Sequence, residues 1–420
     1  MKLLRYSSLA LALILAAGSC TTESGVKPPQ APTFLRYLNG GNNDIAVVAQ
    51  EKADGSLVLL SNIEITSGAG VITRKVKVTN LDKYGNQVGN PAIYPSDFSA
   101  TDSYEASDLI ITSGGYIIHA EHIYTTKASG SLIATPQQRL VMLTLDASGN
   151  FSEAAIAATH FGEADTVKAV SVIHESAGLA LNPANNNIML LGWSASASAM
   201  LLSEVNASGA VQWAYQYPTP ESTVLSKRLV VDGAQQSTWM RTASGGVRIV
   251  NAPANTPTTG DILLSKNTLT ESVSDMCSYG GNFALVGTTN ANPDGTPGTG
   301  KNIFYRKVTP GSEVTTSVVL DLTGNNITDE EGQSLCVTQT GEVVLLGTTA
   351  TSDRGTDYYL IKLDAFGNRV WERTFGSRGD DEGASVRQLS DGSYLIFGST
   401  TLAGLKTLMV MKADKDGLIK

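Results

Sequence analysis

Short runs of alternating apolar and polar residues, separated by turn residues, fill the chain from residue 34 onward. The clearest run, Tyr394-Leu-Ile-Phe-Gly-Ser-Thr-Thr401, follows the pair Asp391-Gly392. Alternation with a period of two is typical of β-strands, and Asp-Gly or Gly-Gly pairs supply the positive φ of tight hairpins. The pattern therefore predicts an all-β protein built from many short strands.

Turns of this kind divide the chain into repeats. Seven markers of a first turn occur: Asp54-Gly55, Gly114-Gly115, Asn185 to Asn187, Gly245-Gly246, Gly280-Gly281, Thr340-Gly341 and Asp391-Gly392. A later turn closes most repeats, as in Asp82-Lys-Tyr-Gly-Asn86 and Asp364-Ala-Phe-Gly-Asn368. Repeats of four short strands are typical of propeller blades, whereas a β-helix has a much shorter period.

The two ends of the chain complete one repeat between them. The last repeat ends after its third strand, and residues 34–44 resemble the fourth-strand segment 371–381. An N-terminal strand in the last blade would close the ring and remove exposed edges. We therefore predict a β-propeller of seven four-stranded blades, with the last blade closed by the N-terminal strand. The fourth repeat is short, so six blades with an irregular insert is the alternative.

The first 32 residues predict export and lipid attachment. Lys2 and Arg5 precede an apolar segment, residues 9–17, that is too short to span a bilayer. The segment ends in Ala17-Gly-Ser-Cys20, which resembles the lipobox, where a peptidase cuts before a cysteine that is then acylated. An ordinary cleavage site with an incidental cysteine is the alternative.

These features predict the domain boundaries and the cellular location of the protein. We expect a lipoprotein signal peptide over residues 1–19, a lipidated Cys20 and flexible tether over residues 20–32, and a single propeller domain over residues 33–420. The protein would be anchored by its lipid in the cell envelope, on the outer membrane, facing the periplasm or the cell surface. The net charge of -9 and the scattered Lys and Arg residues exclude nucleic acid as an expected partner.

Two cysteines remain after Cys20, at equivalent positions of successive repeats. Cys277 and Cys336 each precede a Leu-x-Gly-Thr-Thr stretch. A disulfide requires Cα atoms within about 7 Å, which equivalent positions of neighbouring blades need not satisfy. Two small buried residues packing between blades are the favoured interpretation, and a disulfide is the alternative.

The strings Tyr359-Leu-Ile-Lys-Leu-Asp-Ala-Phe-Gly-Asn-Arg-Val-Trp371 and Asp391-Gly-Ser-Tyr-Leu-Ile-Phe-Gly398 resemble the repeat of propeller-type surface lipoproteins of Bacteroidota. They are more loosely similar to the Asp-x-x-Gly-x-x-x-Trp signature of quinoprotein-like propellers. The resemblance is strongest over residues 330–420 and weakest over residues 216–275. The resemblance implies the propeller fold and the location in the cell envelope. It does not extend to a cofactor, because no set of quinone or metal ligands is visible in the sequence.

Candidate chemistry is sparse. In His119-Ala-Glu-His122, strand alternation places His119 and Glu121 on one face and His122 on the other, so the three cannot share a metal without a bulge. No Gly-x-Ser-x-Gly elbow, Walker loop or Cys-x-x-Cys occurs. We therefore assign no catalytic residue and no metal ligand.

Acidic residues recur between the fourth strand of one repeat and the first strand of the next. The candidate ligand-face residues are Asp44, Asp165, Asp329, Asp380 and Asp381. In a propeller these connections surround the central channel, where ligands usually bind. Turn capping is the simpler structural role. A functional role would be to hold calcium or to contact sugar hydroxyls, although the spacing does not match an EF-hand loop, and no cofactor is expected.

Three functions remain open from sequence. The leading one is a membrane-anchored, non-enzymatic binding or scaffold propeller for a protein or glycan partner, with specificity in the loops at residues 120–138, 251–260 and 290–301. The second is a glycan-active hydrolase or lyase that uses loop carboxylates beside aromatic platforms such as Tyr124 or Phe304. The third is a purely structural envelope lipoprotein.

Overall fold

Within the described residues, 28 β-strands form seven antiparallel four-stranded sheets. The computed structural model describes residues 32–419 except 67–69, 97–101, 128–133, 163–172, 219–223, 232–235, 244–245, 254–259, 264–268, 310–313, 322–328 and 352–354. Each sheet is one repeat of the sequence, because tight turns connect strands that follow one another along the chain.

The strands are grouped here by blade, from the innermost strand outward. Blade one contains β2 (Asn43–Glu51), β3 (Leu57–Thr66), β4 (Ile72–Leu81) and β5 (Ala92–Tyr94); blade two contains β6 (Ser103–Thr112), β7 (Gly115–Lys127), β8 (Ala134–Asp146) and β9 (Phe151–Ile156). Blade three contains β10 (His174–Leu181), β11 (Ile188–Ser194), β12 (Ala199–Val205) and β13 (Val211–Pro218); blade four contains β14 (Val224–Val231), β15 (Gln236–Ala243), β16 (Gly246–Pro253) and β17 (Gly260–Leu263). Blade five contains β18 (Glu271–Tyr279), β19 (Asn282–Ala291), β20 (Pro297–Val308) and β21 (Val314–Leu320); blade six contains β22 (Glu330–Val337), β23 (Val343–Thr351), β24 (Gly355–Leu363) and β25 (Arg369–Phe375). Blade seven contains β26 (Asp381–Gln388), β27 (Tyr394–Leu402), β28 (Leu405–Ala413) and β1 (Phe34–Leu38), and one 3-10 turn (Ala158–Phe161) follows β9.

The N-terminal strand closes the last blade. β1 pairs antiparallel with β28, in a register that places Phe34 opposite Lys412 and Leu38 opposite Leu408. The innermost strands also contact one another in sequence around a ring, β2 to β6, β10, β14, β18, β22, β26 and back to β2. The fold is therefore a closed seven-bladed β-propeller. The predicted blade number and closure are confirmed, and the six-bladed alternative is wrong.

One predicted turn was wrong. Gly246 is the first residue of β16, the third strand of blade four, so Gly245-Gly246 does not connect the first two strands; Gly245 itself lies outside the described residues. The first turn of this blade falls at residues 232–235, outside the described residues, where the sequence reads Asp-Gly-Ala-Gln. Blade four runs only from Val224 to Leu263, and its outermost strand, β17, has four residues.

The second strand of several blades is buried along most of its length because neighbouring blades cover both of its faces. The run Leu57–Ile63 of β3 and the run Val343–Thr349 of β23 are buried at every position. Such strands have continuous rather than alternating hydrophobicity. The core is accordingly a series of apolar layers between blades, such as the layer in which Leu60 and Val78 of blade one meet Tyr104 and Ile118 of blade two.

Each blade has two functionally different ends. The lower face carries the turns between strands one and two and between strands three and four, such as residues 52–56 and 82–86 of blade one. The upper face carries the turns between strands two and three and the connections from one blade to the next, such as residues 39–42. This assignment follows from the antiparallel order, since successive strands run in opposite directions.

Candidate functional site

A polar groove of about 280 Å³ lies between blades six and seven on the upper face. Its lining residues come from the upper ends of the first three strands of both blades: Glu331, Gln333, Thr348, Thr356, Asp380, Asp381, Glu382, Ser399, Thr401 and Lys406. Two of the five predicted ligand-face residues, Asp380 and Asp381, therefore meet at one concave site. None of the described residues that line the groove is aromatic.

Asp381 is held rigidly at the floor of this groove. It is 1% exposed, and one of its carboxylate oxygens accepts a hydrogen bond from the backbone N–H of Ser377 at 2.7 Å. Burial raises the pKa of Asp381, hydrogen bonds from Thr400 and Ser377 oppose this effect, and the nearby charge of Asp357 adds to it. The side chain of Asp380, which precedes β26, lines the same groove.

Charge in the groove is unbalanced. Among the described residues that line it, four carry carboxylates, Glu331, Asp380, Asp381 and Glu382, and Lys406 carries the one ammonium group. Lys406 pairs with Glu382 at 2.7 Å, and Glu331 pairs with Lys301 at 2.5 Å, both in exposed positions where such pairs are weak. The groove is therefore an acidic surface with hydroxyl groups on its walls, suited to a cationic or hydrogen-bond-donating ligand.

The other predicted ligand-face residues lie elsewhere. Asp44 is fully buried at the start of β2, and its carboxylate pairs with the ammonium of Lys77 at 2.7 Å, so it stabilises blade one. Asp329 precedes β22 and accepts a hydrogen bond from the backbone N–H of Lys301. Asp165 and the predicted lipid-attachment residue Cys20 lie outside the described residues. Asp44 and Asp381 are strand residues, not loop residues as predicted.

A second cavity, of about 430 Å³, lies on the propeller axis. All seven innermost strands line it, with Gln50, Asp108, Leu179, Arg228, Asp275, Cys336 and Arg387 among the lining residues. These residues belong to the middle and lower parts of the strands, so the axial cavity lies away from the upper-face loops that carry Asp380.

Hydrogen bonds from blade to blade build the wall of the axial cavity. Ser385 Oγ of blade seven accepts from the Ala49 N–H of blade one at 3.0 Å, and Ser334 Oγ of blade six accepts from the Val386 N–H of blade seven at 3.2 Å. Asp275 of blade five accepts from the Leu335 N–H of blade six at 3.0 Å. Each acceptor follows a β-bulge in its innermost strand, and the bulge redirects the side chain toward the next blade.

Arg228 connects three blades at the axis. Its guanidinium lies 2.8 Å from a carboxylate oxygen of Asp275 and 3.2 Å from one of Asp108. Burial raises the pKa of Asp108, and the charge of Arg228 opposes this effect. Burial alone would lower the pKa of Arg228, but the two carboxylates raise it above its ordinary value. Arg228 is therefore charged and neutralises buried carboxylates.

Sequence reasoning missed this axial network. The available signal was a polar residue at a similar distance before the first-turn glycine of several repeats: Asp108, Asp275, Ser334 and Ser385. Cys277 and Cys336 also line the axial cavity, and both are free thiols. Burial raises the pKa of each to about 12, so both stay protonated at neutral pH and behave as small core residues, as expected.

The pair His119 and His122 faces opposite sides of β7, as strand alternation predicts. Glu121, on the side of His119, accepts a hydrogen bond from the Ser176 N–H of blade three at 2.8 Å. His122 stacks on Tyr104 with ring centroids 4.2 Å apart. Among the described residues, no group of three or more His, Cys, Asp or Glu side chains could hold a metal ion.

Of the two proposed aromatic platforms, Phe304 is inaccessible. Phe304 is fully buried in blade five, so it cannot contact a ligand. Tyr124 lies in blade two, where His122 and the guanidinium of Arg139 flank its ring, at 4.6 Å and 5.2 Å from its centroid. Much of the predicted loop 120–138 is strand, because β7 and β8 extend as one long hairpin.

Comparisons with known proteins bear on the fold alone. No protein-family model and no curated protein sequence matches the chain. Among solved structures, it is similar to the NanB sialidase from Streptococcus pneumoniae, with 10% identity over 93% of this chain and 70% of that chain and a TM-score of 0.46. It is also similar to the Dos1 propeller (8% identity, 91% and 95% covered, TM-score 0.49) and to the WD40 domain of SCAP from fission yeast (7%, 91% and 98%, 0.38).

Proposed function

We propose that this protein is a lipid-anchored binding propeller of the bacterial envelope, which recognises a partner through the acidic groove between blades six and seven. The observation that carries the proposal is the convergence of four carboxylates and one ammonium on a single concave site of the upper face. A rigid, closed fold that presents such a site from its loops is typical of binding propellers.

The chemistry of the groove favours a protein segment rich in Lys or Arg over a glycan. Complementary charge accelerates encounter and gives specificity, and the groove offers an excess of negative charge. Sugar-binding sites commonly stack aromatic rings against the sugar, and none of the described residues that line this groove carries such a ring. Within the described residues, no helix is long and apolar enough to cross a membrane. We assign the anchor to an acylated Cys20 on the basis of the lipobox-like segment Ala17-Gly-Ser-Cys20.

The test uses the full chain expressed in its membrane. Mass spectrometry should find acylated Cys20, and Cys20→Ala should release the chain from the membrane fraction. A pull-down from envelope extract should capture a specific protein at low salt, with weaker capture as the salt concentration rises. The double variant Asp380→Ala and Glu331→Ala should lose that protein.

The matched control is Asp416→Ala, which removes an exposed carboxylate from the lower face and should leave capture unchanged. A glycan array run in parallel distinguishes the alternative partner. A glycan hit that depends on Asp380, or cleavage of that glycan, would overturn recognition of a basic protein segment.

A further inference from the structure

Exposed apolar side chains are concentrated at the lower face of three consecutive blades. Six of the twelve large apolar residues that are exposed among the described residues lie there, at or next to the turns between strands three and four. This rim patch consists of Leu35, Tyr84, Val88, Phe366, Val370 and Leu418, from blades seven, one and six. Phe366, at 82% exposed, is the most exposed of them.

The patch depends on one position of a repeated turn. Tyr84 in blade one and Phe366 in blade six occupy the residue before the turn glycine, where blades two and three carry Ser148 and Ser208. The turn geometry is the same in all four blades, with the N–H of the glycine bonded to the carbonyl of the first turn residue. The fold therefore does not require an aromatic residue there, and an exposed Phe costs solubility without stabilising the turn.

The chain leaves the propeller at the same place. β1 begins at Phe34, which pairs with Lys412 immediately before the lower-face turn of blade seven, so Thr33 lies at the lower face. The segment from Cys20 to Thr33 spans at most about 45 Å even when fully extended. A lipid on Cys20 would therefore tether the propeller at its lower face and keep Thr33 within about 45 Å of the bilayer.

We infer that the rim patch is a membrane-contacting surface, which rests on the lipid anchor proposed above. The rim patch contacts the interfacial region of a lipid bilayer. Phe366 and Tyr84 enter the headgroup region. The exposed Lys83 and Lys415 share their turns with carboxylates, among them the exposed Asp416, so the contact rests on the apolar side chains and not on charge. The propeller then stands with its lower face on the membrane and its acidic groove directed away from it.

The test measures how close each face of the propeller lies to the bilayer. Membrane binding alone is not informative, because the lipid on Cys20 would hold the chain on the membrane in any orientation. Full-length acylated protein is reconstituted in vesicles with an environment-sensitive fluorophore on Asp416→Cys, between the turns of blades six and one, or on Ala195→Cys, on the upper face of blade three. Cys277 and Cys336 label slowly because burial raises the pKa of both thiols. Brominated lipids should quench the label at position 416 and leave the label at position 195 unquenched.

A second variant separates the patch from the anchor. Phe366→Ser with Tyr84→Ser should reduce quenching at position 416 at least twofold while Cys20 stays acylated and the chain sediments with vesicles. Two outcomes with an intact anchor would overturn the inference: equal quenching at positions 416 and 195, or unchanged quenching after the double substitution. Either outcome would leave the proposed lipid anchor unaffected. A chain without acyl groups that does not sediment with vesicles overturns the anchor and the membrane contact together.

Discussion

Replacement of Arg228 by Met should destabilise the propeller strongly at neutral pH. The side chains of Arg228, Asp108 and Asp275 are 13%, 8% and 3% exposed, so the substitution leaves two buried carboxylates without their cation. Loss of one partner of a buried ion pair costs about 3–5 kcal/mol. We expect the lower end, about 3 kcal/mol, because Asp275 keeps its bonds from Ser334 and Leu335.

The loss should depend on pH in a defined direction. Burial raises the pKa of Asp108 in the folded chain, and removal of Arg228 should raise it further. A carboxyl whose pKa is higher when folded binds a proton on folding, so its penalty disappears as the pH falls. The Arg228→Met variant should therefore regain stability between neutral pH and the ordinary pKa of Asp, and Asp108→Asn in the same chain should restore part of it at pH 7.

The assay is urea unfolding followed by circular dichroism at several pH values. The control is Lys301→Met, which breaks a pair whose side chains are 54% and 45% exposed and should cost at most about 1 kcal/mol. A loss for Arg228→Met no larger than that of the control, or one that does not change with pH, would refute the axial ion-pair argument.

Three further predictions concern single contacts. Burial raises the pKa of Glu121 to about 7, so the folded chain should lose stability as the pH rises through 7, and Glu121→Gln should flatten that dependence in thermal unfolding. Ser385→Ala leaves the buried N–H of Ala49 without its acceptor and should cost about 1–3 kcal/mol in urea unfolding, against less than about 0.5 kcal/mol for exposed Ser390→Ala. Gly85→Ala would place a Cβ 2.6 Å from the Phe34 ring at a φ of +81°, so hydrogen exchange in β1 should accelerate. Gly55→Ala, with a φ of +79° and no atom within 4 Å, should leave exchange in β1 unchanged.

The sequence pattern failed where a local signal had two structural solutions. The composition of Gly245-Gly246 predicts a turn but not its place in the blade, because a turn between strands one and two has the same composition as one between strands two and three. Asp44 and Asp381 were read as loop residues because carboxylates favour turns and exposed positions. The structure buries both at the start of a strand, where Lys77 and the Ser377 N–H compensate them.

The sequence by itself determined the all-β class, the seven repeats and the closure by the N-terminal strand. Strand alternation and turn composition are local properties, and residues 34–44 carry the same local pattern as residues 371–381. Only the tertiary structure decided which polar residues meet. The ion pair of Arg228 with Asp108 and Asp275 joins blades two, four and five, and the groove at Asp380 joins blades six and seven. Such contacts arise from the curvature of the ring, which brings together residues far apart in the chain. A polar position that recurs along the repeats does not show which of its residues meet across the axis.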